Sequence, residues 1–218
     1  MSQATHSPLR FFSNPRSRAR IVRWMLEECG AEYETVNLEF GPEMKSPEYL
    51  ALNPMGKVPA LQHGDVVITE TAAILAYLAD LFPEKKLAPA LSDPARGSYY
   101  RWLFFVAGPV EAATTAQSEG WLKVQTHQQA VSAGFGRFED VVSTLRQAVS
   151  GKRHVCGEGI TAADLYLASY IGWSMMEGSL PKLPEFEAYA TPLLQRAASV
   201  RADAIDGSME AAVAAPII

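Results

Sequence analysis

The chain has 218 residues, a formal net charge of −5 and a hydrophobic content of 48%, which suits one large or two small globular domains. Its charges form no long block of one sign, which argues against nucleic acid as the main partner. No apolar run is long enough to span a bilayer, and the N-terminal residues lack the apolar core of a secretory signal, so we expect a cytoplasmic protein without a membrane partner.

Cysteine and histidine usage bears on disulfides and metal sites. Cys29 and Cys156 lie far apart in the sequence, and the four histidines are scattered without the spacing of metal ligands. We therefore predict neither a disulfide framework nor a metal site.

The first part of the chain alternates strands and helices. Apolar alternation and helical spacing predict, in chain order, a strand over 9–12, a helix over 17–29, a strand over 34–38, a loop with a short helix over 40–53, strands over 58–62 and 66–68, and a helix over 71–82. Gly30 stands where a helix C-terminal stop belongs. The resulting order is β-α-β-α-β-β-α.

The hairpin over 58–68 begins with a proline that has a structural use. Pro59 cannot donate a hydrogen bond to a strand ladder, so it belongs at a strand start, and a cis bond before it suits a tight turn. Such a bond would turn the N–H and C=O of Val58 outward, where an extended ligand can pair as an additional strand.

The helix that begins at Thr71 offers a site for an anion beside this backbone. Its first N–H groups and the positive end of its dipole attract a carboxylate, which the Thr71 hydroxyl can also bind, and Glu70 could hold an ammonium group. A carboxylate, an ammonium and a peptide backbone side by side are what the γ-glutamyl end of glutathione presents. The structural alternative is an acidic residue and a cap that stabilise the helix start.

Residues 53–61, NPMGKVPAL, and 68–78, ITETAAILAYL, resemble the cytosolic glutathione S-transferases, and the similarity extends over nearly the whole chain. The resemblance implies a thioredoxin-like N-terminal domain and an all-helical C-terminal domain. It also implies a homodimer, with glutathione as co-substrate and no other cofactor. We expect the first domain over 7–84, a linker over 85–94, the helical domain over 95–210 and a tail over 211–218.

The second part of the chain contains no convincing strand. Helices are predicted over 96–107, resuming at 110 after a break at Gly108-Pro109, and then over 130–149, within 157–174 and over 183–199. Thr161 and Asp164 resemble a capping box at the start of a helix that is apolar on nearly every side, so this helix should be buried. We expect Asp164 to be a cap rather than a catalytic acid.

A glutathione transferase must hold the glutathione thiolate, because a free thiol titrates near about 8.5 and only the thiolate is a good nucleophile. In the family the donor lies just after the first strand or at the mouth of the first helix. Here Phe12 stands near the place where some classes have a tyrosine, and residues 12–18 contain no cysteine. The chain therefore resembles the bacterial-type, serine-class members. The first choice of donor is Ser17, then Ser13, then the Asn14 amide, although Ser17 could also be a helix N-cap.

Basic residues supply further candidates for binding the anionic tripeptide. Arg16 is the best placed of five arginines between residues 10 and 23, most of which we expect to form a solvated helix face. The resemblance suggests that Lys45 meets the glycyl carboxylate and that Lys57 faces the ligand. The alternative for each is an ordinary surface lysine.

The pocket for the second substrate is suggested by aromatic residues. Tyr100 and Phe104 lie off the core stripe of their helix, so they could wall an apolar electrophile pocket or pack at a dimer interface. Trp121, Trp173, Met175 and Met176 are expected in the core rather than in a ligand pocket.

Together these residues predict a glutathione transferase that conjugates glutathione to an apolar electrophile, with peroxide reduction as a variant. The alternative is a non-catalytic binding or regulatory member of the family. A glutaredoxin-type oxidoreductase would need a cysteine at the mouth of the first helix, and residues 12–18 contain none.

Overall fold

The computed structural model describes residues 8–122 and 126–214. The strands are β1 Leu9–Ser13, β2 Tyr33–Asn37, β3 Ala60–His63 and β4 Val66–Thr69. The helices are α1 Ala19–Cys29, α2 Pro47–Leu52, α3 Thr71–Leu81, α4 Ala95–Phe105, α5 Glu111–Ser118, α6 His127–Ser132, α7 Phe138–Val149, α8 Ala162–Glu177, α9 Pro184–Leu194 and α10 Ala197–Ala214.

The chain divides into two compact units. The first unit is the chain up to Leu81 together with the segment from Ala197, and the second unit is Phe82–Arg196. The predicted boundaries stay a prediction: a first domain over 7–84, a linker over 85–94, a helical domain over 95–210 and a tail over 211–218. Among the described residues, α10 groups with the first unit because it packs along α1.

The first unit is built on a sheet with the strand order β2-β1-β3-β4. β1 pairs with β2 in parallel and with β3 antiparallel, and β3 pairs with β4 antiparallel. Phe11 and Leu61 on the sheet, and Val22 and Leu75 on the helices, have no exposed surface. The predicted β-α-β-α-β-β-α order of a thioredoxin-like domain is confirmed.

Local sequence signals set the ends of α1. Its apolar side is buried as the spacing predicts, and Gly30 ends it in the left-handed region at φ 62°, where its N–H bonds the Glu27 and Leu26 carbonyls. The helix begins two residues later than predicted. Ser17 lies in the preceding turn, where its N–H bonds the Asn14 carbonyl at 3.0 Å.

The second unit is helical in its described part. The predicted break at Gly108-Pro109 takes the form of a π-helical turn at Val106–Val110, after which the chain continues into α5. This wider turn accommodates a proline that has no N–H for the helix ladder. No helix among the described residues has both the length and the apolar character needed to cross a membrane.

Two predicted helices are wrong in their extent. The helix predicted over 130–149 is divided into α6 and α7, because Gly136 between them has a φ of 70° that no α-helix accommodates. The helix predicted over 183–199 ends at Leu194, and α10 begins at Ala197. The sequence did not predict α10, and the part of the predicted tail beyond 214 lies outside the described residues.

The start of α8 is a buried polar network around Asp164. Both reciprocal bonds of the capping box with Thr161 are present, as predicted. The Asp164 carboxylate also accepts the Val155 N–H at 2.7 Å and the Tyr189 hydroxyl at 2.7 Å, and it has no exposed surface. Burial, together with the charge of Asp164, raises the pKa of Tyr189. A carboxylate with so many donors and no access to solvent is a structural group.

Candidate functional site

The strand register brings the candidate residues of the first unit to one edge of the sheet. Ser13 pairs with Asn37 at the ends of β1 and β2. Ala60, the first residue of β3, pairs with Phe12 on one side and with Thr69, the last residue of β4, on the other. Four chain segments therefore meet there: the turn after Ser13, the loop after Asn37, the segment before Ala60, and the start of α3 after Thr69. We call this the site edge.

The segment before β3 has the predicted backbone. The peptide bond between Val58 and Pro59 is cis. The Lys57 carbonyl accepts the Tyr49 hydroxyl at 2.6 Å and the Asn53 Nδ2 at 2.8 Å, which fixes the approach to Val58. Pro59 is buried and Val58 is half-buried. The Val58 N–H and C=O bond no backbone group among the described residues, so they are available to an extended ligand.

The junction between β4 and α3 holds an unusual backbone conformation. Glu70 has a φ of 68°, in the left-handed region that favours glycine, and its side chain is exposed. Its carbonyl accepts the Ile74 N–H at 3.0 Å, which starts the helix. Thr71 follows at the first helical position with 8% of its surface exposed. Strained residues of this kind cluster at ligand sites, where the surrounding structure holds them.

The hydroxyl of Ser17 lies at the mouth of α1 and is already hydrogen-bonded. It donates to the Asn14 carbonyl at 2.7 Å and accepts the Ala19 N–H at 3.1 Å, and the residue is half-buried. The second of these bonds satisfies the first N–H of α1, although the N-cap position itself is Arg18 and not Ser17. A hydroxyl rotates freely, so the same oxygen can instead donate to a ligand.

The other two candidate donors are enclosed. Ser13 is fully buried, and its hydroxyl has no hydrogen-bond partner among the described residues. Asn14 is 1% exposed, and its side chain bonds the Leu38 carbonyl at 2.8 Å and the Arg16 N–H at 3.0 Å. Of the three candidates, Ser17 is therefore the one that a ligand can reach without rearranging the chain.

The basic candidates are exposed. The Arg16 guanidinium lies 3.1 Å from the Glu39 carboxylate and stacks over Phe40, so part of its charge is neutralised. The Lys45 ammonium donates to the Met55 carbonyl at 2.8 Å. Lys45 therefore bonds the loop that leads to the Val58 segment, and its role towards a ligand stays a prediction.

Gly56 explains how closely Lys45 packs on this loop. Its φ is 56°, and a Cβ at this position would meet the Met44 carbonyl oxygen, with the Lys45 ammonium 2.8 Å away. Any larger residue would push Lys45 out of place. The Lys57 side chain is exposed, and its backbone carbonyl accepts the Tyr49 hydroxyl, which fixes the loop.

Comparison with known proteins decides the family. A family model described as the N-terminal domain of glutathione S-transferase matches residues 7–80. Glutathione S-transferase 2 of Schizosaccharomyces pombe is 32% identical over 163 residues, which cover 71% of this chain and 69% of that protein. Glutathione S-transferase GST-4.5 of Xanthomonas campestris pv. campestris is 30% identical over 159 residues, which cover 69% of this chain and 76% of that protein.

The chain belongs to the glutathione S-transferase family.

A solved structure extends this similarity. A sphingomonad glutathione S-transferase complexed with glutathione aligns with 91% of this chain and 98% of its own, with a TM-score of 0.72 and 26% identity. The relatives favour a catalytic glutathione transferase over a non-catalytic member of the family.

One arginine of this glutathione S-transferase does not lie on the solvated face expected from the sequence. Arg23 has no exposed surface, and its guanidinium contacts the Asp206 carboxylate of α10 at 2.7 Å. Arg20 contacts Asp203 of α10 at 2.9 Å. Sequence reasoning missed both acidic partners because it did not predict α10. The signal was present, since Asp203 and Asp206 lie three residues apart, as neighbours on one face of a helix do.

The aromatic candidates of the second unit are exposed. Tyr100 is 40% and Phe104 69% exposed, whereas the core stripe of α4 is buried as predicted. The expected core position is wrong for Trp121, Trp173 and Met176, because they are 70%, 45% and 68% exposed, whereas Met175 is half-buried. The choice between an electrophile pocket and a dimer interface stays a prediction. A cavity of about 490 Å³ in this unit is lined by other residues, including Tyr189.

Proposed function

We propose that this glutathione S-transferase binds glutathione at the site edge, keeps its sulfur as a thiolate, and adds that thiolate to an apolar electrophile. The observation that carries the proposal is the meeting of three features at one sheet edge. These are the free backbone of Val58 before cis-Pro59, the left-handed Glu70, and the open N-terminus of α3 at Thr71.

Each feature suits one part of the tripeptide. The Val58 N–H and C=O pair with the cysteinyl backbone as an added strand. The Thr71 hydroxyl and the first N–H groups of α3 bind the γ-glutamyl carboxylate, and the exposed Glu70 carboxylate binds the ammonium. Lys45 supplies a cation for the glycyl carboxylate.

Arg16 and Lys57 have supporting roles in this proposal. The guanidinium of Arg16 lies against Glu39 in the loop that follows β2, which places this partly neutralised cation close to the site edge. Lys57 immediately precedes Val58 and has an exposed side chain. Both cations favour a ligand with two carboxylates and a thiolate.

Ser17 is the proposed thiolate donor. A hydrogen bond to a charged group contributes about 1.5–3 kcal/mol, and one pKa unit corresponds to about 1.4 kcal/mol. A single hydroxyl therefore lowers the thiol pKa by about one to two units, from about 8.5 to near neutrality. Solvent accepts the thiol proton, so a general base is not needed.

The reaction proposed is nucleophilic addition or aromatic substitution by the sulfur. A carbon–sulfur bond forms, and either a leaving group departs with its electron pair or the adduct takes a proton from water. Tyr100 and Phe104 are the proposed apolar contacts of the electrophile. Peroxide reduction by the same thiolate remains a variant. A homodimer, a cytosolic location and the bacterial-type serine subclass are further proposals that rest on the resemblance.

The test is the pKa of the bound thiol. Glutathione is titrated in the complex by following thiolate absorbance in the ultraviolet, with binding measured in parallel by calorimetry. We expect a pKa one to two units below that of free glutathione, and a return towards the free value in Ser17→Ala with little change in affinity. A bound thiol with an unshifted pKa would support the non-catalytic alternative. A normal pKa depression in Ser17→Ala would remove Ser17 as the donor.

A further inference from the structure

Among the residues that the structure describes, three ion pairs join α1 to the helix α10. They are Arg20 with Asp203 at 2.9 Å, Arg23 with Asp206 at 2.7 Å, and Glu27 with Arg201 at 3.2 Å. The central pair is buried, and the outer pairs are partly exposed. Ion pairs with this exposure contribute little to stability, so breaking an outer pair should cost the fold little.

Arg20 differs from Arg201, the cation of the other outer pair, in the acceptor that its second guanidinium nitrogen contacts. One guanidinium nitrogen contacts Asp203, and the other donates to the Pro15 carbonyl at 3.3 Å. Arg201 instead directs its second nitrogen to the carbonyl of Glu27, within α1 itself. Arg20 therefore connects α10 to the turn between β1 and α1, whereas the contacts of Arg201 with described residues all go to Glu27 of α1.

That turn carries the proposed thiolate donor. Pro15 lies between Asn14, whose carbonyl accepts the Ser17 hydroxyl at 2.7 Å, and Ser17 itself. Asn14 ties one side of the turn to Leu38, and Arg20 ties the other side to α10. The position of the Ser17 oxygen is thus set between two anchors.

We propose that Arg20, oriented by Asp203, is a positioning residue for Ser17, and that α10 thereby sets how well the enzyme stabilises the glutathione thiolate. This inference rests on the function proposed above. A hydrogen bond weakens steeply with distance and angle, so a small displacement of Ser17 reduces its donation to the sulfur. The fork geometry of a guanidinium is needed to reach two acceptors at once, and a lysine ammonium cannot replace it.

The variants that test this inference separate positioning from charge and from stability. Arg20→Lys keeps the charge but loses the fork. Asp203→Ala removes the partner that orients Arg20. Arg201→Ala is the matched control, because it breaks an outer ion pair of the same two helices without touching the turn. Each variant is measured for the bound-thiol pKa, for kcat and KM for glutathione, and for thermal unfolding.

We expect Arg20→Lys and Asp203→Ala to raise the bound-thiol pKa by about half a unit to one unit, which lowers the thiolate fraction about three- to tenfold below that pKa. The kcat at low pH should fall in proportion and recover as the pH rises, while the KM for glutathione changes less than about twofold. Arg201→Ala should leave the thiol pKa and the pH profile unchanged. The charge-exchanged double variant, R20D with D203R, restores an ion pair but not the contact with Pro15, so it should keep the defect.

Three results would overturn the inference: a wild-type thiol pKa in Arg20→Lys and Asp203→Ala, an equal shift in Arg201→Ala, or full recovery in the charge-exchanged variant. If the wild-type protein itself fails to lower the thiol pKa, the proposed function falls and this inference falls with it. A lowered pKa that the Arg20 and Asp203 variants leave unchanged removes the inference alone.

Discussion

Arg23 and Asp206 form an ion pair in which neither side chain has any exposed surface, with 2.7 Å between the guanidinium Nε and the carboxylate Oδ1. The same guanidinium donates to the Tyr33 hydroxyl and to Thr35 Oγ1, and it lies over the ring of Phe11. One side chain therefore joins α1, the sheet and α10. Desolvation raises the pKa of Asp206 despite the opposing effect of Arg23.

Arg23→Met is expected to destabilise the protein strongly. Removing one partner of a buried pair leaves the other charge without compensation, which costs about 3–5 kcal/mol. The free energy of unfolding is measured by urea denaturation. The double variant Arg23→Met with Asp206→Leu should recover part of the loss, because no buried charge remains. A single variant that loses less than about 1 kcal/mol would show that the pair is not the anchor of α10.

Tyr33 should make stability depend on pH in the alkaline range. Burial is the largest cause that raises the pKa of its hydroxyl from 10.0 to about 12, with an opposing contribution from the bond to Arg23. The folded state therefore favours the neutral phenol, so this contribution is present below pH 10 and is lost as the pH rises from 10 to about 12. Urea midpoints across this range should fall less steeply in Tyr33→Phe than in the wild type. Parallel curves for the two proteins would contradict the assignment.

Asp164→Ala is expected to lower stability and leave the chemistry of the folded protein intact. Its carboxylate accepts bonds from the backbone of Val155 and Thr161 and from the Tyr189 hydroxyl. Losing this network should cost about 3 kcal/mol or more, whereas Thr161→Ala, which removes only the cap hydroxyl, should cost about 1 kcal/mol. An unchanged melting temperature with lost activity would point to a catalytic role.

Glu70→Gly should affect binding and stability in opposite directions. Glycine adopts a φ of 68° without the steric cost that glutamate carries, so stability should stay level or rise by up to about 1 kcal/mol. Loss of the carboxylate that meets the ammonium should weaken glutathione binding at least tenfold, as calorimetry would detect. Glu70→Gln, which keeps the strain but removes the charge, should weaken binding without the gain in stability. Unaltered affinity in both variants would exclude Glu70 from the site.

Features that depend on nearby residues could be predicted from the sequence. The cis bond before Pro59, the glycine that ends α1, the hairpin and the capping box at Asp164 each follow from a few adjacent residue types whose conformational preferences are strong. Their order along the chain was enough to predict the thioredoxin-like topology.

Features that depend on distant partners were missed. Arg23 contacts a residue 183 positions away, and its neighbours in α1 give no sign of that burial. The sequence ranks Ser17 ahead of Ser13 as the thiolate donor, but only the fold shows that the Ser13 hydroxyl is enclosed. The exposure of Trp121 likewise could not be predicted from its apolar character.

The most direct measurement is a crystal structure of the protein with glutathione. We predict the tripeptide paired with the Val58 backbone, its γ-glutamyl carboxylate on Thr71 and its sulfur within hydrogen-bond distance of the Ser17 hydroxyl. A site edge that stays empty at saturating glutathione, or a tripeptide bound elsewhere on the protein, would contradict this account.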